Sequence, residues 1–184
     1  MSLNFIKAYI KNPRTVGAVA PSSKRLAKGM ISGINFNTAS CIVEYGPGTG
    51  VFTEEILKRK NKETVFIAIE YNPDFYEILK AKLGQHPQFI LINGSAENLK
   101  DYLADYHIEK VDYIVSGLPF ASLPDQMSQS ILGVTQEVLS QGGKFITFQY
   151  TLLKMSLFRD YLSKISHQKI LLNLPPAYVL TCEV

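Results

Sequence analysis

The sequence predicts a doubly wound α/β fold, in which helices cover both faces of a mostly parallel sheet. Short apolar runs alternate regularly with amphipathic segments along the 184 residues. The runs are continuous rather than alternately polar, which is typical of parallel strands that are buried on both faces. Only Pro175 and Pro176 separate the last two runs, a connection too short for a crossover, so the last strand should pair antiparallel.

The individual elements follow from hydrophobic periodicity and from breaking residues. Residues 3–11 have the pattern of an amphipathic helix that Asn12-Pro13 ends, and Ser22 or Ser23 can cap a helix from Lys24 to Ile34. Strands are predicted at 41–45, 65–70, 88–92, 111–116, 143–149, 168–173 and 177–183, and further helices at 51–60, 74–83, 97–106, 123–140 and 152–166. We expect a single domain over 1–184, with 1–35 as its N-terminal helical extension.

Composition excludes several classes of protein. The apolar content of 46% is ordinary for a soluble globular chain, and no apolar run approaches the length of a membrane span. Lys7 and Lys11 interrupt the hydrophobic residues near the N-terminus, which argues against a secretory signal peptide and for a cytoplasmic protein. Cys41 and Cys182 lie far apart without metal-ligand spacing, so we predict buried, reduced thiols and no metal site.

The positive charge is concentrated at the N-terminus, where the first 43 residues include six basic residues and no acid. On a helix over 3–11, the apolar residues cover an arc of about 160°, with Lys7 and Lys11 beyond its edge. Such a helix suits an anionic surface, so residues 1–11 are predicted to make peripheral contact with the inner face of a membrane. Two alternatives stay open: the helix packs on the domain, or its lysines contact the phosphates of RNA.

A glycine-rich loop follows the first predicted strand, in the segment Glu44-Tyr45-Gly46-Pro47-Gly48-Thr49-Gly50. Glycine at every second position permits positive φ angles and a close approach of the main chain to a ligand. The spacing does not satisfy the dinucleotide pattern G-x-G-x-x-G, and no G-K-[ST] follows it. Glu44 would repel a pyrophosphate but suits a ligand with a free ammonium group, such as S-adenosylmethionine. A turn that only connects strand to helix is the alternative.

This loop resembles the first motif of the class I S-adenosylmethionine-dependent methyltransferases, an acidic residue followed by G-x-G-x-G. The resemblance implies a Rossmann-like, seven-stranded sheet with strand order 3-2-1-4-5-7-6. Glu70 ends the second apolar run, where a carboxylate can accept both ribose hydroxyls. The segment 93–97 resembles the adenine-edge motif of the family, but Ser95 could equally cap a helix with Glu97 in its first turn. The predicted cofactor-binding residues are Glu44, Tyr45, Gly46, Pro47, Gly48, Thr49, Gly50, Glu70, Tyr71, Ser95, Ala96 and Glu97.

The acceptor is expected after the fourth predicted strand, at the edge where doubly wound sheets hold their ligands. The predicted catalytic residues there are Ser116, Gly117, Leu118, Pro119 and Phe120. Adenine methyltransferases have asparagine, a variable residue, proline and an aromatic residue at this place. Pro119 and Phe120 match that pattern and Phe120 could stack on a base, but Gly117 stands where the asparagine is expected. A tight turn fixed by glycine and proline is the alternative.

A second resemblance, to bacterial phospholipid N-methyltransferases, extends over more of the chain. The similar segments are Val16 to Ser22, Glu44 to Gly50, Ser116 to Pro119 and Asn173 to Ala177. The resemblance implies that the acceptor is a phosphatidylethanolamine-type amine. Tyr45 and Tyr150 are candidates for an aromatic wall around a methylated ammonium, although packing in the core is the simpler role for both.

Two other functions stay open at this point. The rRNA adenine dimethylases also resemble this chain, which would make it an rRNA adenine N6-methyltransferase. They usually extend into a helical C-terminal domain, whereas this sequence ends at Val184, directly after the last predicted strand. A cofactor-binding protein without catalysis is the third hypothesis.

Overall fold

The structure is a computed structural model that describes residues 24–184 except 153, 172 and 174. Several sequence-based predictions concern residues outside this range. They are the amphipathic helix at 3–11, the segment from Val16 to Ser22, the capping serines Ser22 and Ser23, and Leu174 of the closing stretch.

The described residues form one seven-stranded sheet. Its strands are β1 (Cys41–Tyr45), β2 (Val65–Glu70), β3 (Phe89–Asn93), β4 (Val111–Ser116), β5 (Leu139–Gln149), β6 (Ser163–Ile170) and β7 (Ala177–Glu183). The strand order is β3-β2-β1-β4-β5-β7-β6, and β7 pairs antiparallel with both β5 and β6. The predicted fold class, strand order and antiparallel last strand are therefore confirmed.

Helices cover both faces of the sheet. They are α1 (Lys24–Ile31), α2 (Val51–Leu57), α3 (Pro73–Leu83), α4 (Leu99–Asp105), α5 (Asp125–Val138) and α6 (Met155–Arg159), with a 3-10 turn at Ala96–Asn98. Buried side chains of α1, α2 and α3 belong to one apolar cluster, and those of α4, α5 and α6 belong to a second. Two buried layers on opposite faces explain why the central strands are apolar at nearly every position.

The prediction of a helix over 152–166 was wrong. Only Met155–Arg159 is helical, and β6 already begins at Ser163 rather than at 168. β6 is an edge strand that pairs only with β7, so most of its side chains are exposed and its sequence lacks the apolar run of a central strand. Apolar runs alone therefore could not locate it.

Several other boundaries differ from the prediction. The helix expected from Lys24 to Ile34 ends at Ile31, and the helix expected at 123–140 spans Asp125–Val138. The helix expected at 97–106 is a 3-10 turn followed by α4, because Ser95 caps the 3-10 segment. The helix expected at 51–60 ends at Leu57. β5 begins at Leu139 rather than 143, and its pairing with β4 is irregular near Gly142, which has a φ of 77°.

The carboxyl ends of the parallel strands lie at one edge of the sheet, which we call the carboxyl edge. It is marked by Tyr45, Glu70, Asn93, Ser116 and Gln149. The register places Tyr45 opposite Ile69 on one side and opposite Ser116 on the other. The glycine-rich loop, the acid of β2 and the predicted acceptor segment therefore meet at this edge. Within the described residues, no helix is both long and apolar enough to cross a bilayer.

Candidate cofactor and acceptor site

The three glycines of the loop after β1 all have positive φ angles, but they are needed for different reasons. A Cβ atom on Gly46 would lie 2.8 Å from Leu118 Cδ2, and one on Gly50 would lie 2.7 Å from Leu79 Cδ2. A Cβ on Gly48 would meet no atom of the described residues within 4 Å. A side chain at either outer glycine would have to displace a leucine methyl group in addition to adopting a positive φ, whereas Gly48 borders open space where a ligand can approach the main chain.

Glu70 ties this loop to the end of β2. Its Oε2 accepts a hydrogen bond of 2.9 Å from the Gly48 amide, and its Oε1 accepts one of 2.8 Å from the Asn72 amide. Burial raises the pKa of Glu70, while the amides of Asn72 and Gly48 oppose the rise. Each carboxylate oxygen has a second lone pair, so the group can hold the loop and still accept from ribose hydroxyls.

Glu44 is completely buried, which changes the interpretation of its charge. Its Oε2 accepts a 2.7 Å hydrogen bond from the Thr53 hydroxyl in the first turn of α2, and its Oε1 has no partner among the described residues. Burial raises the pKa of Glu44 to about 8, and the nearby Glu70 adds to the rise. Burial thus favours the protonated carboxyl, and a cation beside it would favour the carboxylate.

The two tyrosines of the predicted cofactor site have different environments. Tyr45 is fully buried and its hydroxyl lies 3.0 Å from Thr135 Oγ1, so only its main chain borders the loop. Tyr71, directly after Glu70, is 41% exposed. Its ring is therefore available at the carboxyl edge, whereas Tyr45 is a core residue, as its simpler interpretation suggested.

The segment after β3 adopts the capping geometry that the sequence left open. The Ser95 hydroxyl accepts a 3.3 Å hydrogen bond from the Glu97 amide and lies 3.1 Å from Glu97 Oε2. Ala96 is buried, and the Gly94 amide donates to the main-chain oxygen of Glu70 over 3.0 Å. The cap and this bond hold the segment beside the end of β2, and a contact with adenine remains a prediction.

The acceptor segment packs directly against the glycine-rich loop. The Gly117 amide donates a 2.8 Å hydrogen bond to the Tyr45 main-chain oxygen, and the Leu118 amide donates to Ser116 Oγ over 3.2 Å. A Cβ atom on Gly117 would lie 2.6 Å from the main-chain oxygen of Gly46. Gly117 therefore has no space for any side chain, including an asparagine amide, unless the loop moves.

The ring of Phe120 is not available to a ligand in this structure. It is fully buried and makes edge-on contacts with Phe145 and Phe158, at centroid distances of 6.1 and 5.2 Å. The predicted stacking of Phe120 on a base would require this aromatic cluster to open. The main-chain oxygen of Pro119 accepts from the amides of Ser122 and Leu123, which fixes the turn.

Gln149 is a candidate site residue that the sequence did not single out. It ends β5 at the carboxyl edge, two residues after Thr147, which lies opposite Ser116. The side chain is 4% exposed, and its Nε2 has no hydrogen-bond partner within the part of the chain that the structure describes. The sequence signal that could have identified Gln149 is its polar side chain at the end of a predicted strand.

The neighbouring Tyr150 is half-buried; burial raises its pKa, and a hydrogen bond with the Asn173 side chain opposes the rise.

These features fit S-adenosylmethionine chemically. The buried Glu44 Oε1, which has no partner among the described residues, can accept a hydrogen bond from an ammonium group. The open space at Gly48 and the exposed Tyr71 ring leave room for a nucleoside beside Glu70. Among the described residues, no group of three or more His, Cys, Asp or Glu side chains is arranged to hold a metal.

Comparison with known families and proteins gives three results. The family described as ribosomal RNA adenine dimethylase matches residues 22–159. An ornithine lipid N-methyltransferase from Singulisphaera acidiphila is 29% identical over 180 residues, covering 97% of this chain and 93% of that protein. A ribosomal RNA small subunit methyltransferase A from Sulfurihydrogenibium sp. is 32% identical over 111 residues, and the match spans 60% of this chain and 42% of that protein.

Solved structures agree on the fold. Fibrillarin from Aeropyrum pernix, in complex with natively bound S-adenosyl-L-methionine, superimposes with a TM-score of 0.64 over 86% of this chain and 72% of that one. The sequence identity is 14%, so the likeness concerns the fold alone.

Proposed function

We propose that this chain, which belongs to the ribosomal RNA adenine dimethylase family, methylates an amine. Because a relative that matches over nearly its full length is an ornithine lipid N-methyltransferase, we propose specifically the amine of a lipid headgroup. The chain is an S-adenosylmethionine-dependent methyltransferase, as the loop from Glu44 to Gly50 predicted. The proposal concerns the acceptor: a phospholipid or related aminolipid with an ethanolamine-type or ornithine-type amine.

The extent of the similarities supports a lipid acceptor. The match to the ornithine lipid N-methyltransferase runs through nearly the full length of both chains. The match to the rRNA methyltransferase of Sulfurihydrogenibium spans less than half of that protein. The predicted resemblance to a lipid-directed enzyme is thus supported over more of the chain than the resemblance to an RNA-directed one.

The geometry at Gly117 is the observation on which the proposal mainly depends. Adenine methyltransferases are expected to hold the base amine with an asparagine amide at this position. Gly117 has no side chain, and the 2.6 Å approach of the Gly46 oxygen to a Cβ there leaves no room for one unless the loop moves. Phe120 is fully buried and presents no free face for stacking. Base recognition of the expected kind therefore lacks both of its contacts.

Methyl transfer needs positioning more than covalent help from the protein. S-adenosylmethionine supplies an activated methyl group when it is bound. We propose that Glu70 accepts from the ribose, that Glu44 accepts from the ammonium group, and that Gly48 permits close contact with the main chain. Ser116 to Leu118 would then border the methyl group, and the acceptor amine must arrive there without its extra proton.

An rRNA adenine N6-methyltransferase is the second candidate, favoured by the family match over residues 22–159. If it is correct, the base amine must be held by groups other than those expected at Gly117 and Phe120.

Transfer of a radiolabelled methyl group from S-adenosylmethionine tests the acceptor. Phosphatidylethanolamine and ornithine lipid vesicles should become labelled, and protein-free rRNA should not. Labelling of rRNA alone would replace the lipid proposal with the adenine one. Cofactor binding with no transfer to either substrate would favour a binding protein without catalysis.

A further inference from the structure

Leu171, Pro175 and Pro176 form an exposed apolar tip in the turn between β6 and β7, at the carboxyl edge. β6 runs parallel to β5, because both pair antiparallel with β7, so the end of β6 lies at the same edge as the candidate site. Leu171, the first residue after β6, is 67% exposed, and Pro175 and Pro176 are exposed as well. These three residues therefore leave apolar side-chain area in contact with solvent at the turn.

Basic side chains lie beside this tip because of the way α1 crosses the sheet. A Cβ on Gly29 would lie 3.0 Å from Ile170 Cδ1, whereas one on Gly33, just after α1, would lie 3.5 Å from Ile146 Cδ1. Ile170 ends β6 at the carboxyl edge and Ile146 lies further inside the sheet. The N-terminus of α1, with the exposed Lys24 and Arg25, is therefore directed towards the carboxyl edge, on the side of the sheet that holds the end of β6.

No acid opposes these charges within the two segments. Residues 24–43 contain no aspartate or glutamate, and neither do residues 161–182. Lys28 on α1 and Lys169 on β6 are exposed and add to the positive surface. Lys169 Nζ lies 5.4 Å from the centroid of the Tyr178 ring. Two basic segments that contain no acid, with an apolar tip at one end, are complementary to an anionic membrane, whose headgroups are negative and whose interior is apolar.

We propose that the β6–β7 turn and the N-terminal end of α1 form a membrane-docking surface, in which Leu171 inserts among the acyl chains of an anionic bilayer. The candidate site opens at the same edge, so docking brings it to the headgroups. The docking surface would serve the proposed methylation of a lipid, so the inference rests on the proposed function. Membrane binding itself, however, is measured without methyl transfer.

The apolar tip favours a bilayer over RNA. Phosphates of RNA would be contacted by the basic side chains alone, and an exposed leucine and two prolines would add nothing to that contact. Insertion of Leu171 into acyl chains would gain free energy from its exposed apolar area.

Cosedimentation of the full chain with phosphatidylcholine vesicles, with and without phosphatidylglycerol, tests the surface. The wild-type protein should bind only when phosphatidylglycerol is present. Leu171→Ser should weaken this binding by roughly threefold or more. Arg25→Glu should weaken it by about tenfold, since a charge near the surface is reversed.

Matched controls are available on the same chain. Ile78→Ser alters a side chain that is 56% exposed on α3, and Lys110→Glu reverses an exposed charge just before β4, at the opposite edge of the sheet. Both controls should bind vesicles as the wild type does. If Leu171→Ser binds like the wild type, or if Ile78→Ser weakens binding equally, the docking surface is overturned. It is also overturned if Arg25→Glu weakens binding to an RNA oligonucleotide while Leu171→Ser leaves vesicle binding intact.

A detergent assay separates this inference from the proposed acceptor. With the aminolipid dispersed in a neutral detergent, Leu171→Ser should methylate as fast as the wild type, and it should be slower only on vesicles. Vesicle binding that depends on Leu171 in a protein that methylates no aminolipid would support the surface and refute the acceptor. If the aminolipid is methylated but vesicle binding does not depend on Leu171, the acceptor is supported and the docking surface is refuted.

Discussion

The amide of Gly48 donates a 2.9 Å hydrogen bond to Oε2 of Glu70, which joins the glycine-rich loop to the end of the neighbouring strand. Gly48 is also the loop glycine at which a Cβ would meet open space. The residue that orients the loop is thus the residue expected to hold the ribose. Loop geometry and cofactor recognition therefore depend on one carboxylate.

Substitution of Glu70 tests this coupling. Glu70→Ala removes the acceptor for the Gly48 and Asn72 amides and for the ribose hydroxyls. We expect the binding free energy of S-adenosylmethionine to weaken by about 1.5 to 3 kcal/mol, the scale of a hydrogen bond to a charged group. Isothermal titration calorimetry would measure the loss. Glu63→Ala, at an exposed acid just before β2, is the control, and equal affinities in the two variants would remove Glu70 from the cofactor site.

Gly117 offers a test of the contact between the acceptor segment and the loop. Gly117→Ala places a methyl group against the Gly46 oxygen, so we expect a loss of about 1 to 3 kcal/mol in the free energy of unfolding, and weaker cofactor binding. Gly133→Ala is the matched control, because its Cβ would meet only Tyr161 Cε1 at 3.9 Å. In the middle of α5 that change should be neutral or stabilising. Chemical denaturation compares the two, and a Gly117→Ala protein as stable as the wild type would contradict the steric argument.

The sequence predicted best those elements whose boundaries are determined by buried apolar runs. β1, β2 and β4 were predicted with their observed boundaries, because these strands are covered by helices on both faces. The antiparallel last strand followed from the two-proline connection. β6 was misplaced because an exposed edge strand needs no apolar run, and its residues fit a helix equally well on periodicity alone.

The candidate site was predicted less fully, since its geometry depends on contacts between distant segments. The loop glycines and Glu70 could be found from spacing. The sequence suggested that Glu44 offers a fixed negative charge, but its complete burial can be seen only when β1, α2 and their neighbours are assembled. The close approach of Gly117 to Gly46 and the unpartnered amide of Gln149 likewise require the folded chain.

Gln149 is expected to lower the free energy of unfolding while contributing to methyl transfer. Its buried Nε2 lacks a partner, so Gln149→Met, which removes the amide but retains much of the volume, should raise the free energy of unfolding by about 1 to 3 kcal/mol. If the amide donates to the acceptor, the same variant should methylate more slowly while binding S-adenosylmethionine normally. Ser128→Ala removes another buried group without a partner, on α5, and should leave the methylation rate unchanged. Gln149→Met with wild-type kinetics would exclude Gln149 from the acceptor site.

The raised pKa of Glu44 predicts how stability depends on pH without cofactor. The native carboxyl keeps its proton up to about pH 8, whereas in the unfolded chain it releases the proton near pH 4.5. The unfolded state therefore binds fewer protons between these values, and the free energy of unfolding falls as pH rises through that window. Glu44→Gln removes this penalty while keeping an acceptor for Thr53. At pH 8 the variant should be more stable by on the order of a few kcal/mol, and at pH 4.5 the difference should nearly vanish.

Binding of S-adenosylmethionine should favour the ionised form of Glu44, which is the form that destabilises the protein without cofactor. An ammonium group beside Glu44 favours the ionised carboxylate, so binding at pH 7 should release a proton from the wild-type protein but not from Glu44→Gln. Calorimetry in buffers with different ionisation enthalpies measures the released proton directly. The variant should also bind S-adenosylmethionine more weakly, even though it is more stable alone. Glu63→Gln should match the wild type in both measurements, since this side chain is exposed. Equal proton release by the wild type and Glu44→Gln would show that the ammonium group does not interact with Glu44.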